Sequence, residues 1–179
     1  SDFRVVFKEC IQDVVGLLRI MRRDEQCVYA AVRTVLVYVF QKTISLTLFG
    51  QQYCDVISYN IYSNNLNHYP FPEGFDMPVM VGEFHFGARD VGMFHSSLVE
   101  VESQEERGKA YEDYVLSALK HPNFIGTHWH QFSDQAVTGR FDGENFQVGF
   151  TDCCDTPYYQ TIKNIRAVGY RMYEIRSGR

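Results

Sequence analysis

Glu83 stands at the end of an apolar run, directly after Val79, Met80, Val81 and Gly82. A structural carboxylate there would be costly to bury, so its place is at an open mouth where it can act as nucleophile or acid. The alternative is a strand-end ion pair with Arg89 or Arg140. Gly82 beside it offers no side chain and lets another group approach the backbone closely. His85 lies two residues further on and shares the face of Glu83 if the strand persists. His128 and His130 form a second i, i+2 pair, a spacing that can place two imidazoles on one metal, although no third ligand is evident. Trp129, the single tryptophan, stands beside Gln131, with Tyr59, Tyr62 and Phe132 at comparable strand ends. Ring faces next to amides suit a sugar, whose C–H faces stack while its hydroxyls need donors and acceptors. A packed rim would look the same. The segment 139–147, with Arg140, Asp142, Glu144, Asn145 and Gln147, adds further hydrogen-bonding side chains.

These residues need rigid elements to hold them. Residues 55–62, 78–84 and 124–130 read as strands, with Pro78 tolerated at a strand start. Residues 103–120 read as a helix with Ser103 as N-cap and Glu106 as its capping-box partner, carrying Ala110, Tyr114, Leu116 and Leu119 on one side. His121 and Pro122 end it. A polar loop over residues 133–157 leads to a last helix that runs through Ile175. The order is strand, strand, helix, strand, helix, with the long loops after the strands, as in the C-terminal portion of a (β/α)8 barrel, where those loops bind and catalyse. A whole barrel needs about 250 residues, and this chain has 179, so the fold class expected is α/β, an incomplete TIM barrel.

Composition narrows the field. The chain is 45% hydrophobic and 15% aromatic, enough for a core, and its 17 Lys+Arg against 22 Asp+Glu give a net charge of −5. With basic residues scattered singly there is no footprint for a phosphate backbone, which excludes nucleic acid as the expected partner. Arg33 and Lys42 interrupt the most apolar stretch, 28–49, well short of the ~20 residues of a membrane helix. The charged first ten residues show no secretory signal pattern. Five cysteines without Cys-x-x-Cys spacing indicate neither a disulfide framework nor a zinc knuckle.

Five motifs in order carry a family resemblance. They are Pro78 to Gly87 (Pro-Val-Met-Val-Gly-Glu-Phe-His-Phe-Gly), Gly92 to His95 (Gly-Met-Phe-His), Gly126 to Phe132 (Gly-Thr-His-Trp-His-Gln-Phe), Asp142 to Phe150 (Asp-Gly-Glu-Asn-Phe-Gln-Val-Gly-Phe) and Asp155 to Tyr158 (Asp-Thr-Pro-Tyr). Together, over about residues 54–173, they resemble the C-terminal catalytic half of the β-agarases of glycoside hydrolase family 50. The resemblance implies one partial barrel over residues 1–179, with residues 54–179 as strands six to eight and their active-site loops. It implies a retaining hydrolase of β-1,4 bonds in agarose-type galactan, with no cofactor. Glu83 would be the nucleophile and Trp129 the sugar platform, while Asn60, Tyr62, His85, His128, Gln131, Glu144 and Asn145 would line the cleft. Such an enzyme needs a second carboxyl as acid/base. The family places it in an Asn-Glu pair, and no such pair occurs in this sequence.

The expectation is therefore that the acid lies in a missing N-terminal half of the barrel and that this chain alone has no appreciable activity. Residues 1–53 match the family poorly, and residues 18–49 depart from it through either a frame error or a genuine variation. An open half-barrel would also expose sheet edges. A noncatalytic galactan-binding module and a metal-dependent hydrolase using His128 and His130 are the competing readings. Secretion or periplasmic export of the full-length protein is inferred from the polymeric substrate.

Overall fold

The computed structural model describes Thr34–Val35 and residues 44–178, all within the compact unit Arg33–Arg179. Of residues 18–49, expected to depart from the family, all but Thr34, Val35 and 44–49 lie outside the described residues. Four strands form one parallel sheet in the order β1 (Thr34–Val35), β2 (Val56–Asn60), β3 (Val79–Phe84), β6 (Phe124–Trp129). Between β3 and β6 come a two-stranded parallel pair, β4 (Gly87–Ala88) and β5 (Glu100–Val101), and the helix α2 (Gln104–Lys120). The helices α1 (Ile44–Tyr53) and α3 (Tyr159–Ser177) flank the whole. The three longer strands and two of the helices follow the sequence reading within one or two residues at most ends; α1, β4 and β5 do not appear in it.

Alternation gives the sheet two unlike faces. Ile57, Tyr59, Val79, Val81, Phe84 and Phe124 are buried together with Tyr114 and Ala118 of α2. Phe84 stacks on Tyr114 with ring centroids 4.2 Å apart. A Cβ built on Gly82 would lie 2.6 Å from Ser58 Oγ and 2.8 Å from Asn60 Oδ1, and one on Gly126 would lie 3.8 Å from Met80. Ser58, Asn60, Met80, Gly82 and Gly126 therefore share the opposite, more polar face. Parallel strands are commonly apolar on both sides; here only the face under the helices is.

Helix α2 starts where its cap predicts. Ser103 Oγ accepts the Glu106 N–H at 3.2 Å. The reciprocal half of the capping box shifts by one residue, since Glu106 Oε2 accepts the N–H of Glu102 at 3.3 Å and not that of Ser103. The buried face of α2 also differs from the expected apolar stripe. It holds Gln104, Arg107, Gly108, Tyr114, Ser117 and Ala118, because α2 packs on the sheet and on α3 at once. At Gly108 any side chain would strike Asn164 Oδ1 at 2.9 Å on α3.

Arg107 is the unexpected core residue, with no exposed surface. Its Nε donates to Phe86 O at 2.6 Å and its Nη1 to Gln104 Oε1 at 3.2 Å. The guanidinium sits 5.3 Å from the Trp129 ring and 5.4 Å from the Tyr158 ring. Burial pushes it down to about 10, so it stays charged at neutral pH. Tyr158 in turn donates to Asp134 Oδ2 at 2.6 Å. A cation, two rings and a carboxylate thus join α2, β6 and the loop before α3, with Arg107 Nη2 buried and without a hydrogen-bond partner among the described residues.

Candidate active site

Glu83 owes its direction to a register shift. Tyr59 pairs with Val81 but Asn60 pairs with Glu83, and on the other side Thr127 pairs with Val81 while Trp129 pairs with Phe84. Strand β3 therefore carries one more residue than either neighbour across positions 82–83, which is a β-bulge. In strict alternation Glu83 would follow Val79 and Val81 into the apolar layer. The extra residue places it instead with Gly82 on the polar face, level with Asn60, while Phe84 returns to the helices. Bulges beside active sites commonly re-aim a side chain in this way.

A partner of the carboxylate comes from the end of β2. Tyr62 Oη donates to Glu83 Oε2 at 2.6 Å, at the short end expected when a hydroxyl meets a carboxylate. Neither basic candidate from the sequence is involved. Arg89 binds Glu100, and Arg140 binds Asp142 at 2.7 Å with Glu144 at 3.3 Å. The backbone ties the two strand ends as well, since Ile61 N–H donates to Glu83 O at 2.9 Å.

His85 does not share the face of Glu83, because β3 ends at Phe84. It is 2% exposed, and its ring centroid lies 4.7 Å from that of Tyr62. Its Nε2 accepts the Leu98 N–H at 3.2 Å, which leaves Nδ1 as the protonated nitrogen donating to His130 O at 3.0 Å. Burial lowers its pKa to about 4, helped by the nearby His130 and Arg107 and opposed by the hydrogen bond to His130 O and by Glu83. A neutral imidazole thus joins two loops and backs the phenol that holds Glu83. Its place is behind the site, not as a wall of it.

Other expected residues fall elsewhere. Trp129 turns to the helix side, with its indole N–H on Val148 O at 2.6 Å. Its ring stacks on Phe150 at 5.2 Å and meets Phe84 edge-on at 5.2 Å. These contacts place its ring on the helix side of the sheet, among Phe84, Phe86 and Phe150. Glu144 takes Gln135 Nε2 at 2.9 Å besides Arg140, and Asn145 Nδ2 donates to Val137 O at 3.5 Å. Both close their own loop. Gln131 Nε2 holds Ser133 O at 3.0 Å. His128 is exposed on β6, and the His130 ring lies 6.0 Å from that of His85. Among the described residues no group of three His, Cys, Asp or Glu side chains converges to hold a metal ion. Of the expected set, then, Glu83, Tyr62 and Asn60 come together at the strand ends, with His85 behind them. Arg107 escaped the sequence reading; a charged residue among the small and apolar positions of α2 was the signal available.

A glutamate at the carboxyl end of a parallel strand is thus braced by a tyrosine from the adjacent strand, in a chain with clear relatives among known proteins. β-Agarase B of Vibrio sp. (strain JT0107) is 41% identical over 128 residues, 69% of this chain and 13% of that protein. The homologues of this chain at about 40% identity are β-agarases. Among solved structures, an exo-β-agarase superimposes with a TM-score of 0.72 at 40% identity, covering 74% of this chain and 18% of that one. A second agarase gives a TM-score of 0.70 at 41% identity, over 73% of this chain and 19% of its own. These neighbours are agarases of glycoside hydrolase family 50, as the five motifs imply. No protein-family model matches the chain. The chain spans about an eighth of the length of the curated relatives it matches, 13% of each. Among the described residues no helix is long and apolar enough to cross a membrane.

Proposed function

We propose that the chain carries strands six to eight of a (β/α)8 glycosidase barrel and supplies the nucleophile, Glu83, of a retaining hydrolase acting on β-1,4 bonds of agarose-type galactan. The observation that carries this reading is the 2.6 Å hydrogen bond from Tyr62 to Glu83 Oε2 on the polar side of a bulge. With Oε2 held, Oε1 attacks the anomeric carbon. The C1–oxygen bond to the leaving sugar breaks, and a second carboxylic acid protonates the departing oxygen before water releases the glycosyl-enzyme. That acid belongs to a segment outside these residues, a reading supported by the small share of each relative that the chain spans. The chain by itself is then inactive on polysaccharide, and the full-length protein is secreted or periplasmic, where polymeric galactan is found. The absence of an Asn-Glu pair also favours a second reading, a galactan-binding remnant that hydrolyses nothing.

The test uses an activated 2-deoxy-2-fluoro-β-galactoside whose dinitrophenolate departs without protonation, so no acid is needed. Glu83 Oε bonds to C1, the bond from C1 to the aryloxy oxygen breaks and dinitrophenolate leaves, and the mass of one fluorosugar appears on the peptide containing Glu83. A label on any other residue refutes the assignment; sugar binding with no label at all favours the remnant.

A further inference from the structure

Segments from the ends of three strands converge on a histidine that the attack on the sugar does not itself use. His85 follows β3 and is 2% exposed, so its imidazole is out of a sugar's reach. Tyr62, after β2, packs on it with ring centroids 4.7 Å apart and planes tilted by 53°. His130, after β6, accepts from its Nδ1 at 3.0 Å through the carbonyl, and Leu98, before β5, donates its N–H to Nε2 at 3.2 Å. A second proton on the ring would set Nε2–H against the Leu98 N–H, donor against donor, at a buried position where an unmade bond is costly. Burial favours the same neutral form. One tautomer therefore fits, and with it one ring orientation.

Both anchors of the ring are tied in turn to backbone just past Glu83. The His130 N–H donates to Phe84 O at 3.0 Å. Leu98 is held between its neighbours: Ser97 Oγ accepts the Val99 N–H at 3.2 Å, and Val99 O accepts the Gly87 N–H at 3.1 Å. The contacts thus close a circuit that runs from Glu83 to Tyr62, from Tyr62 to His85, and from His85 through two backbone anchors to the residues that follow Glu83. A phenol braced by a ring fixed in this way has little room to swing, and the carboxylate it holds keeps its direction.

Resting on the reading of Glu83 as nucleophile, we propose that His85 is a positioning residue for the attack and acts through Tyr62: it fixes the phenol, and the phenol aims the carboxylate. Its effect is bounded by that of the hydroxyl through which it acts. A misplacement of about 1 Å can cost about 100-fold in rate, and the smaller displacement of a loosened but still bonded phenol corresponds to about fivefold.

The experiment is a double-mutant cycle of His85→Gln and Tyr62→Phe on the intact chain, read as the kinetics of labelling by the activated fluorogalactoside. His85→Gln lowers the limiting rate constant of labelling at Glu83 about fivefold and leaves the half-saturating concentration within about twofold, because no contact with the sugar is lost. In the Tyr62→Phe background the same substitution changes the rate constant by less than about twofold, since the route to the carboxylate is already cut. The final extent of labelling and the thermal midpoint report folding separately, so a purely structural role lowers those two and leaves the rate constant and the cycle unmoved. His85→Phe, which keeps a ring against Tyr62 and loses both hydrogen bonds, goes through the same cycle with the same expectation should His85→Gln not fold. Full additivity of the two substitutions overturns the route through Tyr62. A rate constant within about twofold of wild type in the His85 variant overturns the positioning role and leaves Glu83 as the nucleophile, whereas a wild type that takes no label on Glu83 overturns both.

Discussion

Replacing Tyr62 by Phe removes one hydroxyl and keeps the ring that packs 4.7 Å from His85, so it isolates the hydrogen bond to Glu83. At 2.6 Å to a carboxylate oxygen, that bond belongs to the charge-assisted class, for which removal costs about 1.5–3 kcal/mol. Oε2 becomes the carbonyl oxygen of the glycosyl ester and still accepts, but more weakly than the resting carboxylate does, so the bond's energy does not itself lower the barrier. What the variant loses is the alignment of Oε1 on the anomeric carbon, and because a misplacement of about 1 Å can cost about 100-fold, the expected slowing is about tenfold. The assay is the second-order rate of fluorosugar attachment to Glu83, followed by intact mass for the wild type and for Tyr62→Phe at one pH. The carboxylate is still present in the variant, so it is slowed and not abolished. A rate within twofold of wild type would falsify the claim that Tyr62 holds the nucleophile.

The bulge predicts that Gly82→Ala destabilises the protein by about 1–3 kcal/mol, read from the urea midpoint, because the new Cβ meets Ser58 Oγ at 2.6 Å and Asn60 Oδ1 at 2.8 Å; an unchanged midpoint would show that these side chains move aside freely. His85 predicts an acid-side loss of stability. Its folded pKa of about 4 lies below the ordinary 6.5, so its contribution is complete above pH ~6.5 and is lost as pH falls toward ~4. Between pH 7 and 5 wild type should lose about 2 kcal/mol that His85→Gln does not, and parallel losses in the two proteins would remove His85 as the cause. Trp129→Phe should cost about 2 kcal/mol of stability and leave the affinity for uncharged galactan oligosaccharide within about twofold. A collapse of affinity at unchanged stability would restore the platform role. Arg107→Met strips donors from Phe86 O and Gln104 Oε1 and should lower stability by about 3 kcal/mol or more; thermal denaturation within a degree or two of wild type would contradict this.

What was legible in the sequence is local in character. The Ser103 cap, the apolar runs of β2, β3 and β6, and the stop at His121 depend on residues within one or two turns of each other, and the structure follows them closely. The five motifs led correctly to β-agarase relatives because they are contiguous and keep their order. The short pair β4 and β5 escaped because two-residue strands have no period to detect. Glu144 and Asn145 were expected in the cleft from the family resemblance, and their partners Arg140 and Val137 in the same loop come from the fold of that loop.

The residue types at the strand ends, and so the presence of a carboxylate, a phenol and an imidazole near one another, were determined by the sequence by itself. Which way each points was decided only by tertiary structure. Register belongs to a pair of strands: the extra residue that turns Glu83 away from the apolar layer exists only relative to β2 and β6. The same holds for Tyr62, 21 positions from the carboxylate it holds, and for Trp129, whose indole N–H is claimed by a carbonyl 19 positions on. Periodicity along one strand contains no information about such partners, because they are brought together by the packing of the whole sheet against its helices.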